Sequence, residues 1–346
     1  METPRKVIAA VDATETSAYA FTWALHNLIR KGDHVIVLTV APYVGLQQPN
    51  YDLTGEYAIP MVTCTSSMEE SVAEEKIVTA ESSALVSKFL QQCAQAEISC
   101  EGEVVKGEPG SWIMDEAARI SADIIVVGSH ARGVIKRTIL GSISDFVLHN
   151  VQCSVAIVRQ SEALEIHDPL LSSGLARKIV VAVDDSKEAI HAFTWSLKNF
   201  CTPSDKVIIY HVRHPVVPPV VALGTGEFGM EDVYVPPDGN LKEDVDAIDE
   251  SEKLVERYME YAANESKIQC EGKVVTGPTE IKVCEGLISL KADAVIVGTH
   301  GRGVIARTFL GSVSDYLSHN SPCPLIVVKM PKELAYSNVS DHAHLT

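Results

Sequence analysis

Two glycine-rich segments of the chain, residues 128–144 and 298–314, combine the residue types that bind phosphate. Neither segment contains Asp or Glu, and both contain basic residues, which are Arg132, Lys136, Arg137, Arg302 and Arg307. Glycine allows positive φ and close approach of a ligand to the backbone, because it has no Cβ. A helix that begins at Gly141, or at Gly311 in the second segment, would turn free N–H groups and its positive dipole end toward an anion. The residue types therefore predict phosphate binding.

Other side chains in these segments could suggest metal binding or nucleophilic catalysis. His130 and His300 have no second His or Cys at metal-ligand spacing, so we expect hydrogen bonding or phosphate contact rather than metal coordination by protein alone. Ser142 and Ser312 have no base beside them in the sequence, so a capping or phosphate-donating role is favoured over a nucleophilic one.

The elements that position these segments come from an internal duplication. KVIAAVD at residues 6–12 returns as KIVVAVD at 178–184, an offset of 172, and the match of residues 122–145 with 292–315 has an offset of 170. Each copy contains short β-branched runs that predict buried strands, separated by amphipathic helical patterns. Alternating strands and helices of these lengths predict a mainly parallel α/β sheet with helices on both faces.

Ligands of open parallel sheets bind beyond the carboxyl ends of the strands. This rule selects Asp12 and Asp184, which end the first strand of each copy, and the two glycine segments, which follow the fourth. The alternative is a purely structural role, in which the glycines only make a tight turn and the arginines are solvated. Residues 128–142 and 298–312 are identical at eleven of fifteen positions, which a turn alone does not require, so a ligand site is favoured.

The helices predict a core. Phe21, Leu25 and Leu28 in the first copy share one helix face, and Phe193, Leu197 and Phe200 repeat that pattern in the second. Long amphipathic patterns over 69–95 and 243–263 predict surface helices with one face on the sheet.

We predict an exposed loop over residues 215–237 because of its five prolines. The predicted boundaries are domain 1 at 1–160, a linker at 161–177, domain 2 at 178–330 and a tail at 331–346.

Composition excludes several classes of partner. The chain has 346 residues, and its net charge of −17 argues against nucleic acid and anionic membranes as partners. No apolar run approaches the ~20 residues that a membrane span needs, and we expect a cytoplasmic protein. The eight cysteines include no CxxC pair and are interpreted as reduced thiols.

The glycine segments are neither a Walker P-loop nor a Rossmann fingerprint, because G-x-x-x-x-G-K-[ST] is absent and the glycines follow a late strand. The pattern G-x2-[GA]-x9-G-S, with HGRG inside the second copy and SD in the following helix, resembles the ATP-binding signature of the universal stress protein family. The order of elements is similar to the five-stranded, Rossmann-like fold of that family. Two copies in one chain resemble its tandem members.

The resemblance implies nucleotide contacts at matching positions. In the first copy these are Asp12 and Val40 near adenine and ribose, with Gly128, Ala131, Gly141, Ser142 and Ile143 near the phosphates. In the second copy they are Asp184, Val212, Gly298, Gly301, Gly311, Ser312 and Val313. Ala131 stands where the family has glycine, so its methyl group would crowd the phosphates. If that position needs positive φ, alanine adds a strain of about 1–3 kcal/mol, and we rank the second site as the better binder.

The resemblance implies a stress-response regulator that binds adenine nucleotide, ATP or AMP, with Mg²⁺ carried by the nucleotide. No general base, catalytic carboxylate pair or Walker lysine accompanies the loops, which favours a sensor over an efficient catalyst. A slow ATPase, with Asp184 or His300 positioning water, and an interaction scaffold with degenerate sites stay open as alternatives. The family dimerises through its last strand, which implies that the two copies form a pseudo-dimer within one chain; further association into a homo-oligomer stays open.

Overall fold

The computed structural model describes residues 4–43, 68–129, 140–159, 176–215, 221–225, 231–234, 241–299 and 310–331. These residues form two compact units, which lie on either side of residues 160–175 in the sequence. Nearly all of the predicted linker and tail, and residues 130–139 and 300–309 of the two glycine segments, lie outside the described residues. Across the described part of the chain, no helix is long and apolar enough to cross a membrane.

The first unit is a five-stranded parallel sheet of the predicted kind. Its strands are β1 Lys6–Ala10, β2 His34–Ala41, β3 Cys100–Lys106, β4 Ile124–Gly128 and β5 Ser154–Val158, in the spatial order β3-β2-β1-β4-β5. Its helices are α1 Glu15–Asn27, α2 Met68–Gln95, α3 Pro109–Ile120 and α4 Ser142–Asn150. Because strands 1 and 4 are neighbours, the chain leaves their carboxyl ends in opposite directions, which opens a crevice there.

The second unit repeats this order. Its main sheet has the strands β6 Lys178–Val183, β7 Lys206–Arg213, β10 Gln269–Thr276, β11 Ala294–Gly298 and β12 Leu325–Val328, in the spatial order β10-β7-β6-β11-β12. Its helices are α5 Lys187–Asn199, α6 Leu241–Glu265, α7 Thr279–Leu290 and α8 Ser312–Asn320. The α/β fold class predicted from the repeat is confirmed.

The proline-rich stretch of the second unit, which we predicted to be an exposed loop, contains regular structure. It contains two short strands, β8 Val221–Thr225 and β9 Glu231–Tyr234, which pair antiparallel with each other. The five prolines lie before β8 and after β9, so none of them interrupts the pair. Proline has no backbone N–H to donate to a strand ladder, but the residues next to it can still pair.

The predicted helix faces are buried. In the first unit, α1 packs beside α2 with the rings of Phe21 and Phe89 at a centroid distance of 4.8 Å. In the second, α5 packs beside α6 with Phe193 and Tyr258 at 4.9 Å. The six residues of the predicted helix stripes are all at most 9% exposed. The sequence pattern therefore identified the side of each helix that faces its sheet.

An ion pair of the same kind anchors the start of each sheet. Arg5 Nη2 lies 2.6 Å from Asp33 Oδ2, and Arg177 Nη2 lies 2.6 Å from Asp205 Oδ2. Both carboxylates are less than 10% exposed. Each Asp also accepts a backbone N–H, so its desolvated oxygens have partners in addition to the arginine. Removing either arginine would leave a buried carboxylate without its charge partner.

The expectation that all cysteines are reduced thiols is wrong for one pair. Cys93 near the end of α2 and Cys100 at the start of β3 form a disulfide, with 6.2 Å between their Cα atoms. A short connection brings the helix end back onto the strand, and this places two cysteines seven residues apart within bonding distance. In the second unit, Ala262 occupies the place of Cys93, and Cys270 is a free thiol. Burial raises the pKa of Cys270 to about 11, so it stays a thiol.

The long helices α2 and α6 lie close to their sheets over a glycine. A Cβ added at Gly272 would lie closer than 3.0 Å to Val255 Cγ1, and one at Gly102 would meet Val86 Cγ1 in the same way. We predict that Gly272→Ala lowers the free energy of unfolding by about 1–3 kcal/mol through overpacking. Urea denaturation followed by circular dichroism measures the change.

The control for this prediction is the double variant Gly272→Ala with Val255→Ala, which removes the methyl groups that the new Cβ meets. It should recover most of the loss relative to Val255→Ala alone. Equal destabilisation by Gly272→Ala in both backgrounds would show that the close helix approach is not the cause.

Candidate functional site

Each unit has a cavity at the carboxyl ends of its strands, where the sequence predicted a ligand site. The first has a volume of about 350 Å³ and is lined by Ala10, Val11, Asp12, Ser17, Leu38, Val40, Pro109, Ile113, Val127, Gly128, Leu140, Gly141, Ser142, Ile143 and Ser144. The matching fifteen positions of the second unit all line a larger cavity of about 1500 Å³. Ten of the fifteen pairs are identical. The duplication has kept the lining of the crevice more closely than the surrounding chain.

The starts of α4 and α8 lie at these cavities without a side chain to cap them. Gly141 and Gly311 are the N-cap residues, and among the described residues no side chain makes a capping hydrogen bond at either helix start. The first N–H groups of a helix have no partner within it, so they stay available to a ligand. The predicted helix starts are thereby confirmed, and their positive ends lie at the lining of the predicted sites.

The expected positive φ is absent at both N-cap glycines. Gly141 has φ −63° and ψ 144°, and Gly311 has φ −73° and ψ 159°, which any residue can adopt. Backbone strain therefore does not explain glycine here. What glycine provides is the missing side chain, because Ser, Thr, Asn or Asp at an N-cap would place an oxygen on the N–H groups.

Glycine at the end of the fourth strand has a packing cause. A Cβ at Gly298 would lie 2.6 Å from the backbone oxygen of Glu188, and one at Gly128 would lie 3.2 Å from the backbone oxygen of Thr16. The first turn of α5 or α1 therefore passes directly over the end of β11 or β4. Strands 1 and 4 pair with each other in both sheets, so this helix turn lies where their carboxyl ends meet.

Asp12 and Asp184 hold the residues that cap the next helix. Asp12 Oδ1 accepts the N–H of Thr14 at 3.0 Å, and Asp184 Oδ1 accepts the N–H of Ser186 at 2.9 Å. Each aspartate oxygen also accepts the hydroxyl of that same residue. Both carboxylates also line their cavities, so this support of the helix start is compatible with the predicted ligand contact.

Asp185 and Glu188 have the three-residue spacing that predicts a capping box with Asp185 at the N-cap, but the structure does not form it. Ser186 is the N-cap of α5, and its hydroxyl accepts the N–H of Ala189 at 3.1 Å. In the first unit, Thr14 caps α1 in the same way through the N–H of Ser17. The helix begins one residue later than the sequence pattern suggests, because Asp184 fixes the Ser186 side chain.

Ser144 and Ser314, in the first turns of α4 and α8, make different hydrogen bonds. Ser144 Oγ donates to the backbone oxygen of Gly128 at 2.7 Å, which links α4 to the end of β4. Ser314 Oγ donates within its own helix, to the backbone oxygen of Gly311 at 3.0 Å. Both serines are less than 4% exposed. The first site therefore has a strand-to-helix link that the second lacks at this position.

The predicted site residues divide into two groups. The structure brings together at one cavity per unit the residues Asp12, Val40, Gly128, Gly141, Ser142 and Ile143, and Asp184, Val212, Gly298, Gly311, Ser312 and Val313. Ala131, Arg132, Gly301 and Arg302 lie outside the described residues, as do His130 and His300.

The two cavities differ in charge. Among the described lining residues, the first has a single carboxylate, Asp12. The second has seven carboxylates, Asp184, Asp185, Glu188, Glu250, Glu256, Glu260 and Glu280, against three cations, Arg213, Lys253 and Arg257. Much of this charge comes from α6, which forms one wall of the second cavity. No group of three or more His, Cys, Asp or Glu side chains in the described ranges is arranged to hold a metal ion.

The sequence did not identify two residues at the second site, one that contacts the Asp184 backbone and one that lines the cavity. Tyr258 on α6 is fully buried and donates to the backbone oxygen of Asp184 at 2.8 Å. Burial raises the pKa of its hydroxyl, which keeps that donor protonated. His211, near the end of β7, lines the cavity and binds the Val183 carbonyl through Nδ1. In the first copy, the residues equivalent to Tyr258 and His211 are Phe89 and Thr39. These two differences between the copies were the signal available in the sequence.

Comparisons with known proteins agree with the duplicated architecture. A sequence model of the universal stress protein family matches residues 3–159 and 176–329. Universal stress protein Rv2005c of Mycobacterium tuberculosis is 25% identical over 334 residues, covering 95% of this chain and 99% of the relative. Universal stress protein Sll1388 of Synechocystis is 29% identical over 155 residues, covering 44% of this chain and 97% of the relative.

A solved structure shows the same fold. The crystal structure of a universal stress protein from Archaeoglobus fulgidus aligns over 94% of this chain and 98% of its own, with a TM-score of 0.57 and 19% sequence identity.

The two fourth-strand glycines supply a matched pair of variants. We predict that Gly298→Ala lowers the free energy of unfolding by about 2–3 kcal/mol, because its Cβ would meet a rigid backbone oxygen. Gly128→Ala should cost less than about 1 kcal/mol, since a shift of a few tenths of an ångström relieves its contact. Urea denaturation of both variants measures the difference. Equal losses would contradict the closer approach of α5.

Proposed function

The chain belongs to the universal stress protein family, and on that premise we propose that each unit binds an adenine nucleotide, ATP or AMP, at the carboxyl end of its sheet. In this proposal the protein is a nucleotide-dependent regulator of the stress response. It holds the nucleotide and does not turn it over efficiently. The chain then has two separate nucleotide sites, one in each unit.

The observation that carries the proposal is the pair of uncapped helix starts. α4 and α8 each follow an N-cap glycine, no side chain in the described part of the chain caps either helix, and both helices begin at a cavity. Unpaired N–H groups together with the helix dipole favour phosphate. A helix start that served only folding would gain stability from an N-cap side chain, and here that side chain is missing twice.

The residues present fit a nucleotide. The N–H groups at the start of α4 and α8 would hold phosphate, and the positions of Asp12 and Val40, or Asp184 and Val212, would receive the base and ribose. The apolar part of each lining, with Val11, Leu38 and Ile113 in the first unit, suits an aromatic base. The combination of an apolar floor with one anion-binding end is what such a ligand requires.

The charges of the cavities bear on the ranking of the two sites. The methyl group of Ala131 would crowd the phosphates at the first site. On this ground the second site is expected to bind more tightly, and that ranking stays a prediction. The carboxylates of the described lining favour the first for a polyanion, because like charges repel. Mg²⁺ bound to the phosphates would reduce this repulsion, and Mg²⁺ keeps several waters and needs few protein ligands.

The direct test places a carboxylate on each helix start. We predict that Gly311→Asp weakens ATP binding at the second site by roughly 10- to 100-fold, because the new side chain covers the N–H groups and repels phosphate. Gly141→Asp should do the same at the first site. Isothermal titration calorimetry measures affinity and the number of sites, and denaturation should show a change of only about a few tenths of a kcal/mol.

Ile288→Asp is the matched control, because it adds the same charge on the exposed face of α7. It should bind ATP like wild type. If both N-cap variants retain wild-type affinity and two sites, the helix starts do not bind phosphate and the proposal fails.

The charge asymmetry gives a further prediction. Removal of Mg²⁺ with EDTA should weaken ATP binding more at the second site, which has seven lining carboxylates, than at the first, which has one. Titrations of Gly141→Asp report the second site, and titrations of Gly311→Asp report the first. The same loss of affinity in both variants would show that the lining charge does not act on the bound phosphates.

A further inference from the structure

One junction is held covalently in the first unit and by hydrogen bonds in the second. It is the connection from the end of α2 to β3, or from the end of α6 to β10. In the first unit, Cys93 and Cys100 close it with a disulfide. In the second, Ala262 stands in the place of Cys93, and its backbone oxygen accepts the N–H of Ser266 at 2.9 Å and the Ser266 hydroxyl at 2.8 Å. The same junction therefore forms without a covalent bond.

Packing that both units share holds the long helices on their sheets. Val86 of α2 lies over Gly102 of β3, and Val255 of α6 lies over Gly272 of β10, in each case so closely that an added Cβ would clash. The second unit keeps this packing although it has no disulfide at the junction. Opening the disulfide of the first unit would therefore loosen the junction and leave the sheet and the helix packing in place.

A reductant can reach the disulfide from one side. β3 lies at one end of the strand order of its sheet, and Cys100 at its start is half-buried. Residues 94–97 and 99 of the connection are exposed, whereas Cys93 is only 1% exposed. An attacking thiolate therefore meets the sulfur of Cys100, and the sulfur of Cys93 is the leaving group.

Three other thiols in the described ranges do not exchange with this bond at neutral pH. Burial raises the pKa of Cys201 and Cys323 to about 12 and that of Cys270 to about 11. Only a thiolate attacks a disulfide, and these three thiols stay protonated. Exchange at the junction therefore needs a thiol from outside this group.

We infer that Cys93 and Cys100 form a reversible thiol–disulfide exchange site for a protein dithiol, and that its redox state sets how firmly the end of α2 is held on β3. One thiolate of the dithiol attacks Cys100 Sγ and forms a mixed disulfide, while Cys93 leaves with the electron pair and takes up a proton. The second thiolate then attacks the mixed disulfide and releases Cys100 as a thiol. Two electrons and two protons pass to the protein, and the dithiol becomes a disulfide.

The first experiment asks whether a dithiol opens the bond in the folded protein. The full chain is incubated with dithiothreitol at about pH 8 without denaturant, quenched in acid, then unfolded, alkylated and digested for mass spectrometry. Cys93 and Cys100 should be alkylated together, and oxidised glutathione should restore the disulfide once dithiothreitol is removed. Circular dichroism should show the same helix content in both states. If the bond opens only when urea unfolds the protein, it is a permanent link and the inference is wrong.

Hydrogen exchange then locates the effect in the wild-type protein. After reduction, the backbone amides of residues 92–100 should exchange faster by roughly 10-fold or more, because the junction has lost its covalent link. Residues 261–270 of the second unit should keep their rates. Unchanged rates over 92–100, or the same acceleration in both units, would contradict local control by the disulfide.

Cys93→Ala is the matched variant, because it copies the second unit at this position. Its amides over 92–100 should exchange like those of the reduced wild type, with and without dithiothreitol. Cys270→Ala, which removes the equivalent of Cys100, should respond to dithiothreitol like the wild type. A response that persists in Cys93→Ala would show that another group is responsible. The wild-type measurements do not depend on the folding of either variant.

Discussion

The first N–H groups of an α-helix cannot be paired within the helix, and in this protein two such sets follow an N-cap glycine, which has no side chain to bind them. α4 and α8 begin at glycines that could carry a capping side chain without strain, since both have negative φ. Leaving them bare gives up a capping hydrogen bond at each helix start. An anion that takes these N–H groups recovers the loss, which is why the site and the stability of α4 and α8 are linked.

The rest of each unit holds that helix start at the right place. Gly128 and Gly298 let α1 and α5 pass over the fourth strand of their unit, and Asp12 and Asp184 fix the residues that cap these two helices. Close packing at Gly102 and Gly272 sets α2 and α6 against the second and third strands. Each contact needs either a glycine or a short polar side chain. The shape of the crevice therefore depends on these glycines as much as on the aspartates.

Much of the fold could be predicted from the sequence, because burial leaves a periodic signal. The β-branched runs and the stripe of Phe21, Leu25 and Leu28 identify strands and helix faces, and the repeat shows that both copies share them. The described ends of the glycine segments, and the aspartates after the first strands, lie at the carboxyl ends of the sheets as predicted. What could not be predicted depends on distances between segments far apart in sequence.

Four details show this limit. The Cys93–Cys100 disulfide forms because the end of α2 returns onto β3, and no spacing rule identifies it. The N-cap of α5 is Ser186 because a hydrogen bond from its side chain to Asp184 outweighs a local capping pattern. The negative φ of Gly141 follows from the direction in which the chain enters α4, and the residue type does not determine it. The tautomer of His211 is set by a carbonyl on the neighbouring strand.

The amide resonances at the two helix starts test the central claim most directly. In ¹⁵N-labelled protein titrated with ATP, the account predicts that the backbone N–H signals of residues 142–144 and 312–314 shift in proportion to occupancy of their own site. If calorimetry shows ATP binding while these six signals stay in place, the nucleotide lies elsewhere and the account is contradicted.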